Sequence, residues 1–592
     1  MYLDIKNHKF FAIALLPALI FYLFFFKFGV NAPYADDISA VNAMVIRFFN
    51  GQDTWWDKLL LLFSQCNEHR LFYLSAVAVI QFAIMGEINF LVLDLIGGLA
   101  SFGILLVFYR MILKYNYPLW LIIPISFFLF NLSYFQNIFW TVCALQHNTL
   151  PFMILLVIIV LSGKVETSSF FWSLFFAFFA VFTSGNGFLI FIAALPLLWR
   201  YSSKYVVFWL LSGVACFLLY MSDYEHPYQR GNLLENAFQI KAILGTFFVY
   251  LGSFSSVFFF GMHPMRTNIS FVLGLVMFLS ILVIYWKNRS QLLKENTPYL
   301  TLSTIFLFVF GTVGLYSLAR ANEAIESVYE SRYAINTTIF LIAFVLLISP
   351  TKNSFIKLKW SLFLISGAFF ISSYLSRLVA VVNFSNELAA GVFSGKNLKR
   401  GYYFYRDSSG NKVDLTVPTV LELSQLPKPI VNITAQLPAS LKYFNDVIYL
   451  SAVNPAFQPF SNHYKFIDRA FDQAILERSG TKSNHILQIW SSKDGFRYFG
   501  KGISARITSG EDGVFAVLVN QNQKKWVFNL FWSELNRKKQ LTHWDAIYVR
   551  NLDGIIPFKY LPDGRYTLKI FKVEGKQITL MGVKNGMQVN GM

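Results

Sequence analysis

Residues 10–26 read FFAIALLPALIFYLFFF, a run of aromatic and aliphatic residues without a single charge. Extended to Gly29 it reaches the roughly 20 residues that a helix needs to cross the hydrocarbon core of a bilayer. Comparable runs recur near residues 90–109, 118–132, 149–163, 169–184, 187–199, 205–221, 268–286, 299–318, 333–349 and 360–380. The reading is an α-helical polytopic membrane protein with about 11 spans. Two more apolar runs, 71–85 and 242–262, are ambiguous, and each added span would invert everything after it. Composition agrees with lipid as the solvent: of 592 residues 55% are hydrophobic, 18% aromatic, 65 of them Phe, and only 14% charged, with a mean hydropathy of +0.49. A soluble domain carries about a quarter charged residues.

Loop charge arbitrates the two ambiguous runs. If both stay on the outer side as surface or half-buried helices, the inner loops contain Lys6 and Lys9, Arg110 and Lys114, Lys164, Arg200 and Lys204, Lys287, Arg289 and Lys294, then Lys352, Lys357 and Lys359. Every inner loop is then basic, as the positive-inside rule requires. The N-terminus is expected in the cytoplasm, with the first span a retained signal anchor and the C-terminus outside. The formal net charge of +18 is thereby accounted for by orientation, and nucleic acid is excluded as a partner. Cys66, Cys143 and Cys216 are far apart and lack metal-ligand spacing. Cys66 and Cys143 fall on the outer side, where a disulfide is chemically allowed.

The division expected is a membrane domain over 1–383 and a soluble domain over 384–592. Past residue 384 no run is long enough to span, and turn signals and alternation take over. Val514 to Val519, Trp526 to Phe531 and Arg565 to Val573 read as strands, with helix around Phe466 to Arg478, so this domain is expected to be β-rich or α+β.

The polar residues sort to one face. Asp36-Asp37 follows the first span beside Tyr34; two close carboxylates raise one another's pKa or jointly hold a divalent cation, and one of them can accept a proton from a hydroxyl. The alternative is an N-cap for the helix expected over Ile38 to Phe49. Asn67-Glu68-His69-Arg70 ends the same loop; arginine suits a phosphate, whereas a helix start with interfacial anchors is the plainer reading. Ser331-Arg332-Tyr333, preceded by Arg320 and by Glu323, Glu326 and Glu330, breaks the outer-face charge bias; the arginine either meets an anionic lipid headgroup, or snorkels or pairs with Glu330 or Glu326. Gln136, Asn137, Trp140, Gln146, His147, Asn148 and Asn186 fall at outer span ends. His147 and His226 are isolated, and no metal site is assigned.

A first span, an acidic pair in the first outer loop, an amphipathic stretch and a Glu-His-Arg approach to an apolar helix resemble the GT-C superfamily of membrane glycosyltransferases. Within it, the chain looks most like bacterial polyprenyl-phosphate-sugar-dependent, serotype-modifying O-antigen glucosyltransferases. The residues that carry the resemblance are Asp36-Asp37, Glu68-His69-Arg70, Gln146-His147-Asn148 and Ser331-Arg332-Tyr333, within the first 380 residues or so. The resemblance implies inverting transfer of a hexose, glucose in the nearest enzymes, from a polyprenyl-phosphate donor to a surface polysaccharide at the outer face of a bacterial cytoplasmic (inner) membrane. It implies Asp36 as general base with Asp37 orienting it. Arg70, Arg332 and Arg320, with Tyr333, would hold the donor phosphate, and Glu68 and His69 would contact sugar or position Arg70. Gln146, His147, Asn148 and Asn186 would contact acceptor or sugar. The partners expected are the lipid-linked sugar, the polysaccharide acceptor and membrane lipid. The C-terminal domain, periplasmic on this reading, matches no family pattern and would hold the acceptor or shield the site. The competing readings are a lipid-linked saccharide transporter or flippase and a non-enzymatic envelope scaffold.

Overall fold

A computed structural model describes residues 5–398 except 32, 35, 51–52, 87, 164–165, 226–235, 260–262, 293–296 and 350–355. It also describes 402–406, 412–416, 486–491, 495–501, 513–522, 525–530, 532–533, 551–557, 561, 563–574 and 577–589. His226, Lys164, Lys294, Lys352 and the helix expected around Phe466 to Arg478 lie outside the described residues. The chain divides into two compact units, one of Met1–Phe26, Asp36–Gln81 and Val92–Arg377, the other of Lys27–Ala35, Phe82–Leu91 and Leu378–Met592.

The first unit is helical. Among the described residues nine helices are long and apolar enough to cross a membrane: Lys9–Phe28, Phe90–Lys114, Thr141–Leu161, Ser203–Met221, Ile240–Val257, Pro264–Lys287, Tyr299–Ala319, Ser331–Ile348 and Lys359–Leu378. Eight of them coincide with runs expected to span. The other three expected spans are shorter apolar helices, Leu119–Tyr134, Thr167–Val181 and Gly185–Leu198. Helix length thus gives nine where the apolar runs give eleven, and it counts Ile240–Val257, which the charge argument set aside. The ambiguous run at 71–85 is a helix of 14 residues, Phe72–Met85.

Ser331–Ile348 and Thr141–Leu161 are 72% and 67% buried, so they form the middle of the unit, whereas Ser203–Met221 and Pro264–Lys287 are 17% and 22% buried and present apolar faces outward. Leu211, Val214, Leu218, Val272 and Val283 are among the exposed apolar residues of those two helices, as expected of helices solvated by lipid rather than water. Aromatic contacts fill the gaps between helices, with Phe21 against Phe130 at 5.6 Å and Trp209 against Phe191 at 5.0 Å. Close approach depends on small residues: a Cβ on Gly97 would lie 2.4 Å from the Ala144 backbone.

Polar contacts tie the helix ends into two groups. In one, Lys114 Nζ donates to the Ser162 carbonyl, and Arg200 donates to the carbonyls of Ser162 and Gly163 at 3.2 Å. The Tyr115 hydroxyl meets Thr301 Oγ1 at 2.5 Å, and Tyr117 donates to the Leu346 carbonyl at 2.9 Å. The other group joins the segments around residues 36, 67, 140, 185, 220 and 332. Both ends of the helix Ile240–Gly252 belong to this second group: Asn236 Nδ2 donates to the Ala319 carbonyl at 3.2 Å, Gln239 bonds Asn322, and the Tyr250 hydroxyl donates to the Tyr333 carbonyl at 3.2 Å.

Arg70 is a clamp in this layer. It is 8% exposed, and its guanidinium donates to the Tyr220 carbonyl at 2.5 Å, to the Phe63 carbonyl at 2.8 Å and to the Ser222 carbonyl. Tyr220 and Ser222 end the helix Ser203–Met221, whose last carbonyls have no intrahelical partner and carry the negative end of the helix dipole.

The helix Ile356–Leu398 belongs to the first unit as far as Arg377 and to the second from Leu378; it runs through residue 384, where the soluble domain was expected to begin, and the next strand starts at Tyr402. Two four-stranded antiparallel sheets follow, and neither closes among the described residues. Their orders are Ile486–Ser491, Gly495–Lys501, Asn551–Pro557, Trp532–Ser533 and Gln577–Val589, Gly564–Glu574, Gly513–Asn520, Lys525–Leu530. The three expected strands are present as Gly513–Asn520, Lys525–Leu530 and Gly564–Glu574. Tyr566, Leu568 and Ile570 are buried at every second position, the period of a strand with one covered face. All three cysteines are free, so the Cys66–Cys143 pairing does not occur.

Replacing Arg70 by Ala should strand three carbonyls and destabilise the chain by about 2–4 kcal/mol, read as a lower unfolding temperature in detergent. An unfolding temperature equal to the native one would show that the clamp contributes nothing.

Candidate functional site

The site is assembled from loops that the sequence keeps up to 300 residues apart. Asn67 and Glu68 form the two-residue connection of a small hairpin in which Cys66 pairs with His69 and Gln65 with Arg70. Asn67 takes φ = 52°, a left-handed conformation that Asn adopts at less cost than most residues. The motif is therefore a hairpin tip rather than the first turn of a helix, and the next helix starts at Phe72. This tip carries the Asn67 side chain into a hydrogen bond with Asp36 and brings the charges of Glu68 and His69 near that carboxylate.

Asp36 is half-buried. Burial pushes its carboxyl above the ordinary aspartate range; Arg332, Asn67 and His69 oppose the shift, and Glu68 adds to it. Arg332 in turn pairs with Glu330 at 2.5 Å, and its guanidinium lies 5.0 Å from the Tyr333 ring and 5.8 Å from Trp140. Arg320 pairs with Glu323 at 2.5 Å and donates to the Tyr333 hydroxyl at 2.9 Å. The His147 ring meets Tyr333 edge-on at 5.7 Å, within the fields of Arg332, His69 and Arg320. His69 Nε2 is 3.4 Å from Glu68, and its Nδ1 accepts the Gly185 N–H at 3.4 Å. The segments around residues 137 and 332 are sewn together by Arg332 N–H donating to Gln136 Oε1 and Asn137 Nδ2 donating to the Arg332 carbonyl, both at 3.2 Å.

Of the residues singled out in the sequence, Asp36, Glu68, His69, His147, Arg320, Arg332 and Tyr333 thus share one neighbourhood. The others serve the frame. Asp37 is 1% exposed and makes no side-chain cap on its own helix; its carboxylate accepts the Val142 N–H at 2.8 Å, so it caps the helix that starts at Thr141. Arg70 holds carbonyls. Gln146 bonds Ser184 at 3.1 Å, Asn148 donates to the Gly97 carbonyl at 2.8 Å, and Asn186 donates to Thr312 at 3.3 Å. Asn148, with no exposed surface, ties its own segment to the helix Phe90–Lys114 through Gly97 and Ser101.

Two groups escaped the sequence reading. Asn67 was quoted only as part of its motif. Asp94, 3% exposed, accepts a hydrogen bond from Thr141 at 2.5 Å within the field of Asp37; its signal was a lone acid inside an otherwise apolar run. Cys66 stands beside Asp36, where burial and then the Asp36 charge push its thiol up to about 12, leaving it protonated and unreactive at neutral pH.

Among the described residues no group of three or more His, Cys, Asp or Glu side chains is placed to hold a metal ion. No family model, no curated protein and no solved structure matches the chain.

Because the folded chain holds the Asp36 proton more tightly than the unfolded chain does, ionising Asp36 opposes folding, and stability falls as pH rises from the unfolded aspartate value through the raised one. Asp36→Asn should therefore be at least as stable as the native chain at pH 7, with the difference shrinking toward pH 4. Unfolding temperatures measured across that range check it; an Asp36→Asn chain that is less stable at pH 7 would contradict the assignment.

Proposed function

We propose that the chain is a glycosyltransferase that moves a hexose, glucose on the resemblance, from a polyprenyl-phosphate donor to a surface polysaccharide such as O-antigen, with inversion. The observation that carries this reading is one half-buried carboxylate with a raised pKa, Asp36, set among Arg332, His69 and Asn67 where the loops between apolar helices converge. The acceptor hydroxyl attacks the anomeric carbon, the bond from that carbon to the phosphate oxygen breaks, polyprenyl phosphate leaves, and Asp36 takes the hydroxyl proton. A carboxylate poised above its ordinary pKa is a stronger base than a solvated one. Arg332 and Arg320 stabilise the charge that builds on the leaving phosphate, and Glu68, His69, His147 and Tyr333 contact sugar. Arg70 and Asp37 are assigned to the frame. No step is given to a divalent cation, since the Asp37 carboxylate is turned to Val142.

The topology proposed keeps eleven spans, the N-terminus in the cytoplasm of a Gram-negative bacterium and the C-terminal domain in the periplasm. The three short helices support this count because each runs between the two groups of polar contacts. Gly185 meets His69 and Arg200 meets Ser162; Thr167 meets Tyr205 while Phe182 meets Tyr73; Tyr117 meets Leu346 and Gln136 meets Ser331. Fourteen to sixteen residues reach about 21–24 Å as helix, which flanking interfacial residues and local thinning extend. The helix Ile240–Gly252 is read as lying across the outer face, both its ends being bonded to residues 319–333.

A transporter would place charges or broken helices near the bilayer midplane. Asp94 is the one acid in the nine helices, and it bonds Thr141 at the end of a span, which favours surface chemistry.

Transfer of radiolabelled sugar from a panel of polyprenyl-phosphate sugars should drop by about 10³ in Asp36→Asn with donor affinity retained; undiminished turnover would remove Asp36 as base. Arg332→Ala should weaken donor binding by about tenfold, and unchanged affinity would take it out of the site. In a cysteine-free background, single cysteines at Glu323 and Asn288 should label from opposite sides of the membrane, and labelling from the same side would overturn the topology.

A further inference from the structure

The span Thr141–Leu161 joins two unlike ends. Near its start lie the Val142 N–H held by Asp37 and the His147 ring against Tyr333. At its other end, about 30 Å away for a helix of that length, two cations meet on one carbonyl. Lys114 Nζ and Arg200 Nη1 both donate to the Ser162 carbonyl, and Arg200 Nη2 donates to that of Gly163. Sharing one acceptor brings two like charges together. Both side chains are half-buried, and the Arg200 Nε is buried with no acceptor. A helix C-terminus offers about half an elementary negative charge, against two full positive ones. Among the described residues no carboxylate forms an ion pair with Lys114 or Arg200, and Glu166, the acid of the adjoining segment, is exposed. About 1.5 positive charges are thus left unanswered by the protein.

The surroundings are those of a membrane surface. Lys114 closes the candidate span Phe90–Lys114 and Ser162 directly follows Leu161, which sets the pair at the depth of lipid headgroup phosphates. Trp199, next to Arg200, is exposed, as tryptophans of an interfacial belt are. The helices Thr167–Val181 and Ser203–Met221 pack side by side from this end, with Thr167 bonded to Tyr205 at 2.7 Å and Phe171 against Phe208 at 6.4 Å. Phe171, Val207, Phe208 and Leu211 are exposed along them.

We propose that Lys114 and Arg200 bind the phosphate of an anionic phospholipid, whose acyl chains lie along the exposed faces of Thr167–Val181 and Ser203–Met221. A phosphodiester carries one negative charge, which offsets most of the excess. Its oxygens accept from N–H groups that the carbonyls leave over, since lysine has three donors and arginine five, of which Lys114 uses one and Arg200 two. A zwitterionic lipid brings its own ammonium to the same place and leaves the excess standing, so the site selects net headgroup charge. Bound there, the lipid would hold the ends of Phe90–Lys114 and Thr141–Leu161 to the segment before Ser203, remote from Asp36. The inference requires a chain that crosses a membrane and does not depend on sugar transfer.

The test is native mass spectrometry of the full chain in mild detergent, with separate add-back of phosphatidylglycerol, phosphatidylcholine and inorganic phosphate. The native chain should retain phosphatidylglycerol about tenfold or more better than phosphatidylcholine. Arg200→Gln and Lys114→Gln should each lower that retention by about tenfold, whereas Lys204→Gln, which removes a neighbouring exposed lysine, should change it by no more than about twofold. Equal retention of the two lipids, retention that neither site variant alters, or binding of inorganic phosphate with no lipid overturns the proposal. So does a loss in Lys204→Gln as large as in Arg200→Gln, which would mean diffuse attraction to basic charge. If neither site variant folds, the native chain decides: its unfolding temperature should rise with phosphatidylglycerol and not with phosphatidylcholine, and an equal response to both overturns the site. Because turnover is not the readout, a failed transfer assay and a failed lipid assay remain separate results.

Discussion

Charge cannot be left facing lipid, and several of the described ionisable groups near the apolar helices are answered by an opposite charge or by backbone groups at a helix end. Arg70 answers three carbonyls, Asp37 answers the Val142 N–H, Lys114 and Arg200 answer the carbonyls of Ser162 and Gly163, and Arg332 answers Glu330. These contacts gather the loops into two layers, and the layer around residue 332 is where Asp36 finds its neighbours. Had Asp37 or Arg70 been free to turn toward a ligand, the loops that present Asp36 and His69 would lose their anchors.

The division of labour within two short motifs follows from that constraint. In Asp36-Asp37 one carboxylate is half-buried and raised in pKa while the other is locked on a helix N-terminus. In Glu68-His69-Arg70 the first two side chains approach Asp36 and the third closes a helix C-terminus. A pair of carboxylates in different surroundings can divide into a reacting group and a fixed one, which is the arrangement the transferase reading uses. The cation that remains beside Asp36 is Arg332, oriented by Glu330 and flanked by Trp140 and Tyr333.

Much of this was legible in the sequence because lipid solvation leaves a strong signal. Apolar runs located eight long helices, and the polar residues between them marked the segments that converge, among them Asp36, Glu68-His69 and Ser331-Arg332-Tyr333. Turn signals and alternation located the strands around residues 517, 528 and 569, and in the last of these Tyr566, Leu568 and Ile570 are buried at every second position. What the sequence could not reveal is which partner a side chain chooses. Arginine suits a phosphate and a helix C-terminus equally well, so Arg70 read as a ligand-binding residue until three carbonyls were seen around it. Asn148 and Gln146 likewise read as sugar contacts, yet they bridge helices that only tertiary packing brings together. Local helix type is less legible: the run 118–132 is α-helical only to Leu129 and continues as a 3-10 turn from Leu132, because an apolar run does not reveal where its helix is interrupted.

The central claim is that Asp36 and Arg332, nearly 300 positions apart, act on one another across converged loops. A double-mutant cycle on unfolding free energy in detergent, with Asp36→Asn, Arg332→Gln and the pair, measures that interaction directly. Coupling of about 0.5 kcal/mol or more is the result this account predicts; additive effects within about 0.3 kcal/mol would mean that the two side chains do not share a site.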